Sequence, residues 1–350
     1  MKRIVLTGGG TAGHVTPNLA LFPHLREKCC EISYIGSYDG IEKGLIAEWK
    51  LPYYEIVCPK LIRSGGFASL KRNLKIPFEL LRAQKKAEEG LKIFQPDLIF
   101  SKGGYVALPV VRAAKKLKIP CFAHESDLSV GLANRLSAKK CKYVFTSFPE
   151  TAKTIRHGKY SGAPIRRSIF SATKADARKK FGIPFDAKVV LVFGGGSGSA
   201  VINQTIRKNL KQLCEKYVIL HVCGKGNTVV CNFKNYRQFE FISDMGGAYA
   251  CADLIVSRSG AGTVFEILAL KKPAVFIPLE GQTRGDQIQN AEYFYQKGLC
   301  KILRQKDIEN LPRSIDEAAL DNDLKARLAQ SNFSSGNENI LRDIRLTLGI

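Results

Sequence analysis

Two glycine-rich turns, one in each half of the 350-residue chain, constrain its fold more than any other feature. Gly8-Gly9-Gly10-Thr11-Ala12-Gly13-His14 follows the apolar run Ile4-Val5-Leu6. Gly194-Gly195-Gly196-Ser197-Gly198-Ser199 follows Val189-Val190-Leu191-Val192-Phe193. Each is the pattern of a short buried strand passing through bare backbone into a helix. Such a turn lets peptide N–H groups and a helix N-terminus face an anion. Two of them predict two nucleotide-fold domains with a cleft between them, and His14 sits on the rim of the first.

The rest of the chain agrees with an α/β reading. Strand-like apolar runs recur at residues 4–6, 32–35, 54–58, 98–101, 121–123 and 143–146, then at 189–193, 218–222, 254–257 and 274–277. Helical stretches fall between them, at 18–26, 106–116, 201–214, 263–270 and 286–297. This alternation predicts two Rossmann-like domains built on parallel sheets covered by helices. The boundary is expected near residues 158–165, where Gly, Ser and Pro cluster. A last helix, at 337–348, follows a polar patch and is free to pack back on the first domain.

Composition narrows the partners. The chain has 54 basic and 31 acidic residues, a net charge of +23. That surface suits nucleic acid, an anionic membrane face or phosphorylated substrates. No run approaches the roughly 18–20 apolar residues of a membrane span. Only Ile4-Val5-Leu6 follows Lys2-Arg3 before the glycines, too short for a signal-peptide core, so a cytoplasmic chain is expected. The ten cysteines include no Cys-x-x-Cys pair, and Cys29 and Cys30 are adjacent, which favours reduced, mostly buried thiols.

Residues 69–87 stand apart. Leu70, Leu74, Phe78, Leu81 and Ile76 can share an apolar side flanked by Lys71, Arg72, Lys75 and Arg82. Pro77 kinks or restarts a helix here. An apolar face bordered by basic residues suits an anionic bilayer, and an amphipathic helix packed on the sheet is the plain alternative. Phe67 and the preceding residues 61–66 extend that surface as a loop.

Neither glycine turn is a nucleoside-triphosphate loop, because no Gly-Lys-Ser/Thr closes it. The dinucleotide spacing is only loosely met, and no acid follows the second strand as a ribose ligand, which disfavours a dehydrogenase. A histidine just past a glycine turn is placed for proton transfer, although most lone histidines are structural. Ser257-Arg258-Ser259-Gly260-Ala261-Gly262-Thr263-Val264-Phe265-Glu266 offers small residues and a helix N-terminus for a diphosphate. Its Glu266 is one turn into the helix, where a carboxylate can accept two hydrogen bonds from a ribose diol. Farther on, Gly285-Asp286-Gln287 opens another helix with groups that can read sugar hydroxyls.

Taken in order, these segments resemble the MurG-type glycosyltransferases of family 28 over nearly the whole chain. The matching stretches include Gly9 to Pro17, Gly103-Gly104-Tyr105, His124-Glu125, Gly131 to Asn134, Gly162 to Arg166, Asn203-Gln204, Phe241 to Met245, Arg258 to Thr263 and Gly285-Asp286-Gln287. The resemblance implies the GT-B fold and inverting transfer of N-acetylglucosamine from UDP-N-acetylglucosamine to an undecaprenyl-diphosphate-linked muramyl-pentapeptide. That is the lipid I to lipid II step of peptidoglycan synthesis, at the cytoplasmic face of the cell membrane.

It also implies roles. Residues 1–160 would form the acceptor and membrane-associating domain, residues 161–336 the donor domain, and 337–350 the returning helix. On the donor, the backbone of Ile242 would meet uracil, and Glu266 the ribose. Ala261, Gly262 and Thr263, with Val264 and Phe265 beside them, would meet the diphosphate and sugar. Asp286 and Gln287 would meet the sugar hydroxyls, with Arg166, Arg258, Gly196, Ser197 and Asn203 nearby. Thr11, Ala12, Gly13 and His14 would line the cleft, with Tyr105, His124, Glu125 and Asn134 around the acceptor. His14 is the expected base or proton-positioning group, and Glu125 the second candidate. Lys71, Arg72, Leu74, Lys75, Phe78 and Arg82 would touch the membrane. No cofactor or metal is expected, and no nucleic-acid partner.

Two positions depart from the family pattern. Asp127 stands where relatives carry an amide, and Gly196 takes the place of a serine, with Ser197 next to it. A transferase acting on another lipid acceptor, such as diacylglycerol, is the alternative reading.

Overall fold

The structure is a computed structural model that describes residues 1–28, 30–60, 71–281 and 284–350, and of Ala12 the backbone alone. Cys29, the loop at 61–67 with Phe67, and Leu70 lie outside the described residues. The chain divides into two compact units, Met1–Arg166 with Ser335–Ile350, and Arg167–Ser334. The first unit therefore runs to Arg166 rather than to residue 160. Past that point the chain is still tied to the first sheet, through Ser161 N–H to the Thr146 carbonyl at 3.1 Å.

In the first unit β1 (Arg3–Thr7), β2 (Glu31–Ser37), β3 (Tyr53–Ile56), β4 (Leu98–Ser101), β5 (Cys121–Glu125), β6 (Tyr143–Thr146) and β7 (Gly158–Tyr160) form one sheet. Its order is β3-β2-β1-β4-β5-β6-β7, and every pairing is parallel. Parallel strands need crossovers, here α1 (Thr16–Glu27), α2 (Ile41–Ala47), α3 (Ile76–Phe94), α4 (Ala107–Lys116), α5 (Leu132–Ser137) and α6 (Pro149–Thr154). The strands are apolar on both faces because helices cover both. Ile4 and Leu6 pack with Phe100, Phe122 and Phe145 on one side, whereas Val5 packs with Ile99, Ala123 and Val144 on the other.

The second unit holds α7 (Lys174–Phe181), β8 (Val189–Phe193), α8 (Ala200–Lys208), α9 (Leu210–Lys216), β9 (Val218–Val222), β10 (Tyr236–Phe239) and α10 (Met245–Cys251). It continues through β11 (Leu254–Ser257), α11 (Ala261–Ala269), β12 (Ala274–Phe276), α12 (Asp286–Tyr295), β13 (Lys301–Ile302), α13 (Leu311–Leu320) and α14 (Asn322–Gln330). Its sheet order is β10-β9-β8-β11-β12-β13, again parallel throughout. The chain then returns to the first unit as α15 (Asn337–Leu348), which sets Ile340, Leu341, Ile344 and Leu348 into the core beneath α1.

Asn337 fastens that return. Its Oδ1 accepts the Ile165 N–H at 3.1 Å, its Nδ2 donates to the Ile165 carbonyl at 2.8 Å, and Gly336 N–H donates to the Ala163 carbonyl at 2.7 Å. One expectation needs correction in detail. The helix expected at 201–214 is two helices, broken at Asn209, whose Nδ2 turns back to the Thr205 carbonyl. Pro77 restarts a helix, as expected: residues 71–73 are helical, 74–75 form a turn, and α3 begins at Ile76 with Pro77 in its first turn, where the N–H has no helical partner. Among the described residues no helix is long and apolar enough to cross a membrane.

Candidate active site

In each sheet the strand order reverses direction beside the first strand of the unit, between β1 and β4 and between β8 and β11. Loops leaving the C-terminal ends of strands at such a reversal form a natural ligand crevice. Both glycine turns are those loops.

In the first unit the turn after β1 meets the turn after β4. Gly104, at φ +81°, lies so close that an added Cβ would sit 2.3 Å from the Gly9 carbonyl oxygen and 3.2 Å from His14 Nδ1. A side chain at 104 would therefore push the two turns apart. His14 ends a short 3-10 turn, Ala12–His14, and its Nδ1 is 3.0 Å from Thr11 Oγ1. Thr11 and Gly13 are exposed and His14 is half-buried. Tyr105 lies under Gly10 and donates its hydroxyl to Ser37 Oγ at 3.4 Å, while Lys60 Nζ sits 5.1 Å from the centre of its ring.

Three of the residues expected on the acceptor side of this unit, His124, Glu125 and Asn134, are buried and bonded within it. His124 is fully buried and its Nε2 pairs with the Gly162 carbonyl at 3.3 Å. Burial, aided by the nearby Lys102 charge, pushes its pKa well below the ordinary range, so it is a neutral core residue. Glu125 is only 5% exposed, and its oxygens accept the Asp127 N–H at 3.1 Å, the Gly131 N–H at 2.8 Å and Asn134 Nδ2 at 3.0 Å. A carboxylate committed to three donors shapes a loop. Asn134 is buried as well, bridging Glu125 to the His124 carbonyl at 3.1 Å. This loop leaves Asp127 half-exposed at its tip. Arg166, half-buried, is the last residue of the unit's first segment.

In the second unit three loops converge, after β8, β11 and β12. One side chain joins them. Arg258 donates through Nη1 to the carbonyls of Ile277 (3.1 Å) and Pro278 (2.9 Å), and through Nη2 to Ser199 Oγ (2.9 Å) and Gln305 Oε1 (3.1 Å). Burial lowers its pKa, against a smaller opposite pull from Glu280. Arg258 is thus a clasp for the loops.

Around that clasp the backbone is bare. Gly195, Gly196 and Ser197 are exposed, and a Cβ added at Gly195, Gly196, Gly260 or Gly262 would meet nothing within 4 Å among the described residues. Gly260 caps α11, so the helix N-terminus opens onto the same space. Gly262 is exposed and Thr263 half-buried, whereas the side chains of Val264 and Phe265 belong to the core and leave only their backbone for a ligand. Ala261 is buried at the start of the helix.

Glu266 accepts the Tyr249 hydroxyl at 3.0 Å, which orients its carboxylate. Gln287 accepts the Leu279 N–H at 3.0 Å, and Asp286 pairs with Arg284 at 2.9 Å. Ile242 has a buried side chain beside exposed Phe241. Asn203 is buried, donating to the Cys223 carbonyl at 2.9 Å and accepting from His221 Nε2 at 3.0 Å.

The comparisons with known proteins coincide with this anatomy. The glycosyltransferase family 28 N-terminal domain matches residues 4–146 and the family 28 C-terminal domain matches residues 189–344. A relative from Clostridium perfringens (strain SM101 / Type A), named UDP-N-acetylglucosamine--N-acetylmuramyl-(pentapeptide) pyrophosphoryl-undecaprenol N-acetylglucosamine transferase, is 41% identical, covering 98% of each chain. One of the same name from Clostridium botulinum (strain Langeland / NCTC 10281 / Type F) is 43% identical over 89% of this chain and 88% of its own. The chain belongs to glycosyltransferase family 28.

A crystal structure of MurG from Acinetobacter baumannii superposes with a TM-score of 0.76 at 27% identity, covering 99% of both chains. The calicheamicin glycosyltransferase CalG4, at 15% identity and a TM-score of 0.72, shares the fold alone. Two parallel-sheet, Rossmann-like units of the GT-B class are thus the architecture of this family 28 enzyme, a hexosyltransferase. Sequence reasoning missed Glu42 and Lys102, both fully buried at the first site. Glu42 reads in sequence only as an acid in the first turn of a short helix, a pattern too common to single out.

Proposed function

We propose that this enzyme moves N-acetylglucosamine from UDP-N-acetylglucosamine to the undecaprenyl-diphosphate-linked muramyl-pentapeptide, with inversion at the anomeric carbon. The observation that carries this reading is the open backbone of the second-unit loops around the Arg258 clasp, in a chain of this family. Exposed amides at 195–197 and the α11 N-terminus suit the donor diphosphate, Glu266 suits the ribose diol, and the Ile242 backbone suits uracil. Asp286 and Gln287 are placed for the sugar hydroxyls.

The first unit supplies the acceptor side. When His14 Nδ1–H donates to Thr11 Oγ1, Nε2 carries the lone pair and takes the proton of the attacking muramyl hydroxyl. The hydroxyl oxygen bonds to the anomeric carbon as the bond to the UDP oxygen breaks. The negative charge that develops on the departing diphosphate is met by the amides of the second turn.

The exposed stripe at the start of α3 is the membrane contact in this reading. Leu74, in the turn just before α3, and Phe78 and Leu81, in its first turns, are 68%, 71% and 49% exposed, with Lys71, Arg72, Lys75 and Arg82 exposed around them. An apolar wedge in a basic rim suits the anionic cytoplasmic face of a bilayer, where the lipid acceptor lies.

The test is transfer of radiolabelled N-acetylglucosamine to a short-chain acceptor analogue. His14→Ala is expected to lower kcat by about 10²–10⁴-fold while the Kd for UDP stays within about twofold. Label that reaches diacylglycerol and not the muramyl lipid would replace this reading with the alternative.

A further inference from the structure

The two glycine turns look equivalent in sequence, but the structure fills one and leaves the other open. Behind the first turn lies Glu42, fully buried at the start of α2. Its Oε2 accepts the Gly10 N–H at 3.1 Å, and its Oε1 accepts both the Ser37 N–H at 2.9 Å and the Ser37 hydroxyl at 2.5 Å. The carboxylate is packed so tightly under the turn that a Cβ added at Gly9 would lie 2.4 Å from Oε1.

Other backbone groups of the turn are engaged too. The Gly8 carbonyl accepts the Tyr34 hydroxyl at 2.7 Å, and the His14 N–H donates to the Thr11 carbonyl at 3.0 Å. The buried ammonium of Lys102 reaches the His124 carbonyl at 3.5 Å, beneath the neighbouring loop. Pro17, in the first turn of α1, has no N–H to offer.

We propose that Glu42 is a positioning residue that closes the first glycine turn to phosphate and leaves it a reader of uncharged sugar hydroxyls. The inference rests on the glycosyl-transfer reading above. An internal carboxylate already holds the amide that a diphosphate would need, and it opposes a second anion beside it. A sugar hydroxyl, which donates as well as accepts, meets no such conflict. What remains open at this turn suits one: Thr11 and Gly13 are exposed, and a Cβ added at Gly13 would meet only Thr11 Oγ1, at 3.8 Å. Ser37 carries the effect outward, since its Oγ gives its proton to Glu42 and accepts the Tyr105 hydroxyl. The diphosphate of the donor then belongs to the second turn alone.

The experiment uses the full chain labelled with ¹⁵N-glycine, its turn amides assigned by single Gly→Ala variants. Saturating inorganic pyrophosphate is expected to shift Gly195, Gly196 and Gly260 and to leave Gly9, Gly10 and Gly13 unmoved. UDP-N-acetylglucosamine moving the first-turn amides where UDP does not would assign the donor sugar to this turn. Movement with the short-chain acceptor analogue alone would assign the acceptor sugar. Saturable shifts of Gly10 and Gly13 with pyrophosphate would overturn the proposal, as would silence of the first turn to both sugars.

A kinetic arm tests the positioning role. Glu42→Gln and Ser37→Ala, each checked for an unchanged melting profile, are expected to lower kcat/KM by about tenfold and about threefold. The Kd for UDP should stay within about twofold in both. Folded variants with full kcat/KM would remove Glu42 from the mechanism. Absence of any transfer by the wild-type enzyme would instead defeat the underlying reading.

Discussion

Arg258 shows what one side chain does when a site is made of loops. Its planar fork reaches four oxygens on three separate segments, and a lysine cannot copy that geometry. Arg258→Lys keeps the charge and loses the fork. UDP affinity, read by calorimetry, is expected to fall by about tenfold or more, because the loops it joins no longer hold their spacing.

The buried histidines make a second prediction. Burial, with help from Arg207, holds His221 down to about 3 from 6.5, and His124 is also pushed far down. Between those values the unfolded chain binds protons that the folded one refuses, so stability is present above pH 6.5 and drains away as pH falls toward 3. Each such group contributes a slope of about 1.4 kcal/mol per pH unit in that window. Urea midpoints measured from pH 7.5 to 4.5 should drop steadily, and His221→Gln should flatten the slope.

His14, Glu266 and the Gly260 region stand out in sequence because each belongs to the small-residue turn or helix start that follows a strand. Glu42 does not, because its partners are Ser37 at the end of β2 and Gly10 in the first glycine turn, 5 and 32 residues away. Glu125 and Asn203 were legible as polar residues in distinctive motifs, but a motif cannot tell a group that touches ligand from one that ties down the loop beneath it.

At the level of elements, the strands that were easiest to read lie in the middle of each sheet. β1, β4, β8 and β11 are buried on both faces and so are written as unbroken apolar runs. β7, β10 and β13 escaped because they are short edge strands with half-buried polar residues. The start of α3 carries the other element-scale consequence. A helix that packed its apolar side on the sheet would bury Phe78, and here Ala83, Ala87 and Leu91 do that work farther along. Leu74→Glu with Phe78→Glu should abolish co-sedimentation with phosphatidylglycerol vesicles. The same double variant should keep wild-type turnover on a short-chain acceptor in detergent. Loss of both activities together would show that the stripe serves the fold.

For the whole molecule, two cores imply two unfolding events. A ligand stabilises only the unit that binds it. Calorimetry should therefore resolve two transitions, with UDP raising the one that belongs to residues 167–334. Ile344→Ala, which empties a fully buried position in the core under α1, should lower the other by about 2–5 kcal/mol and leave the UDP-sensitive one in place.

The clasp at Asn337 gives this arrangement a direction in time. The ribosome makes the first sheet early, yet the helix that seals its underside emerges only after the second unit. A whole second unit must be synthesised in between. The newborn amino-terminal half must wait, with part of its greasy underside uncovered, for residues 337–348. Chaperone dependence and sensitivity to premature stop codons should accordingly be greatest for ribosomes stalled just short of Asn337.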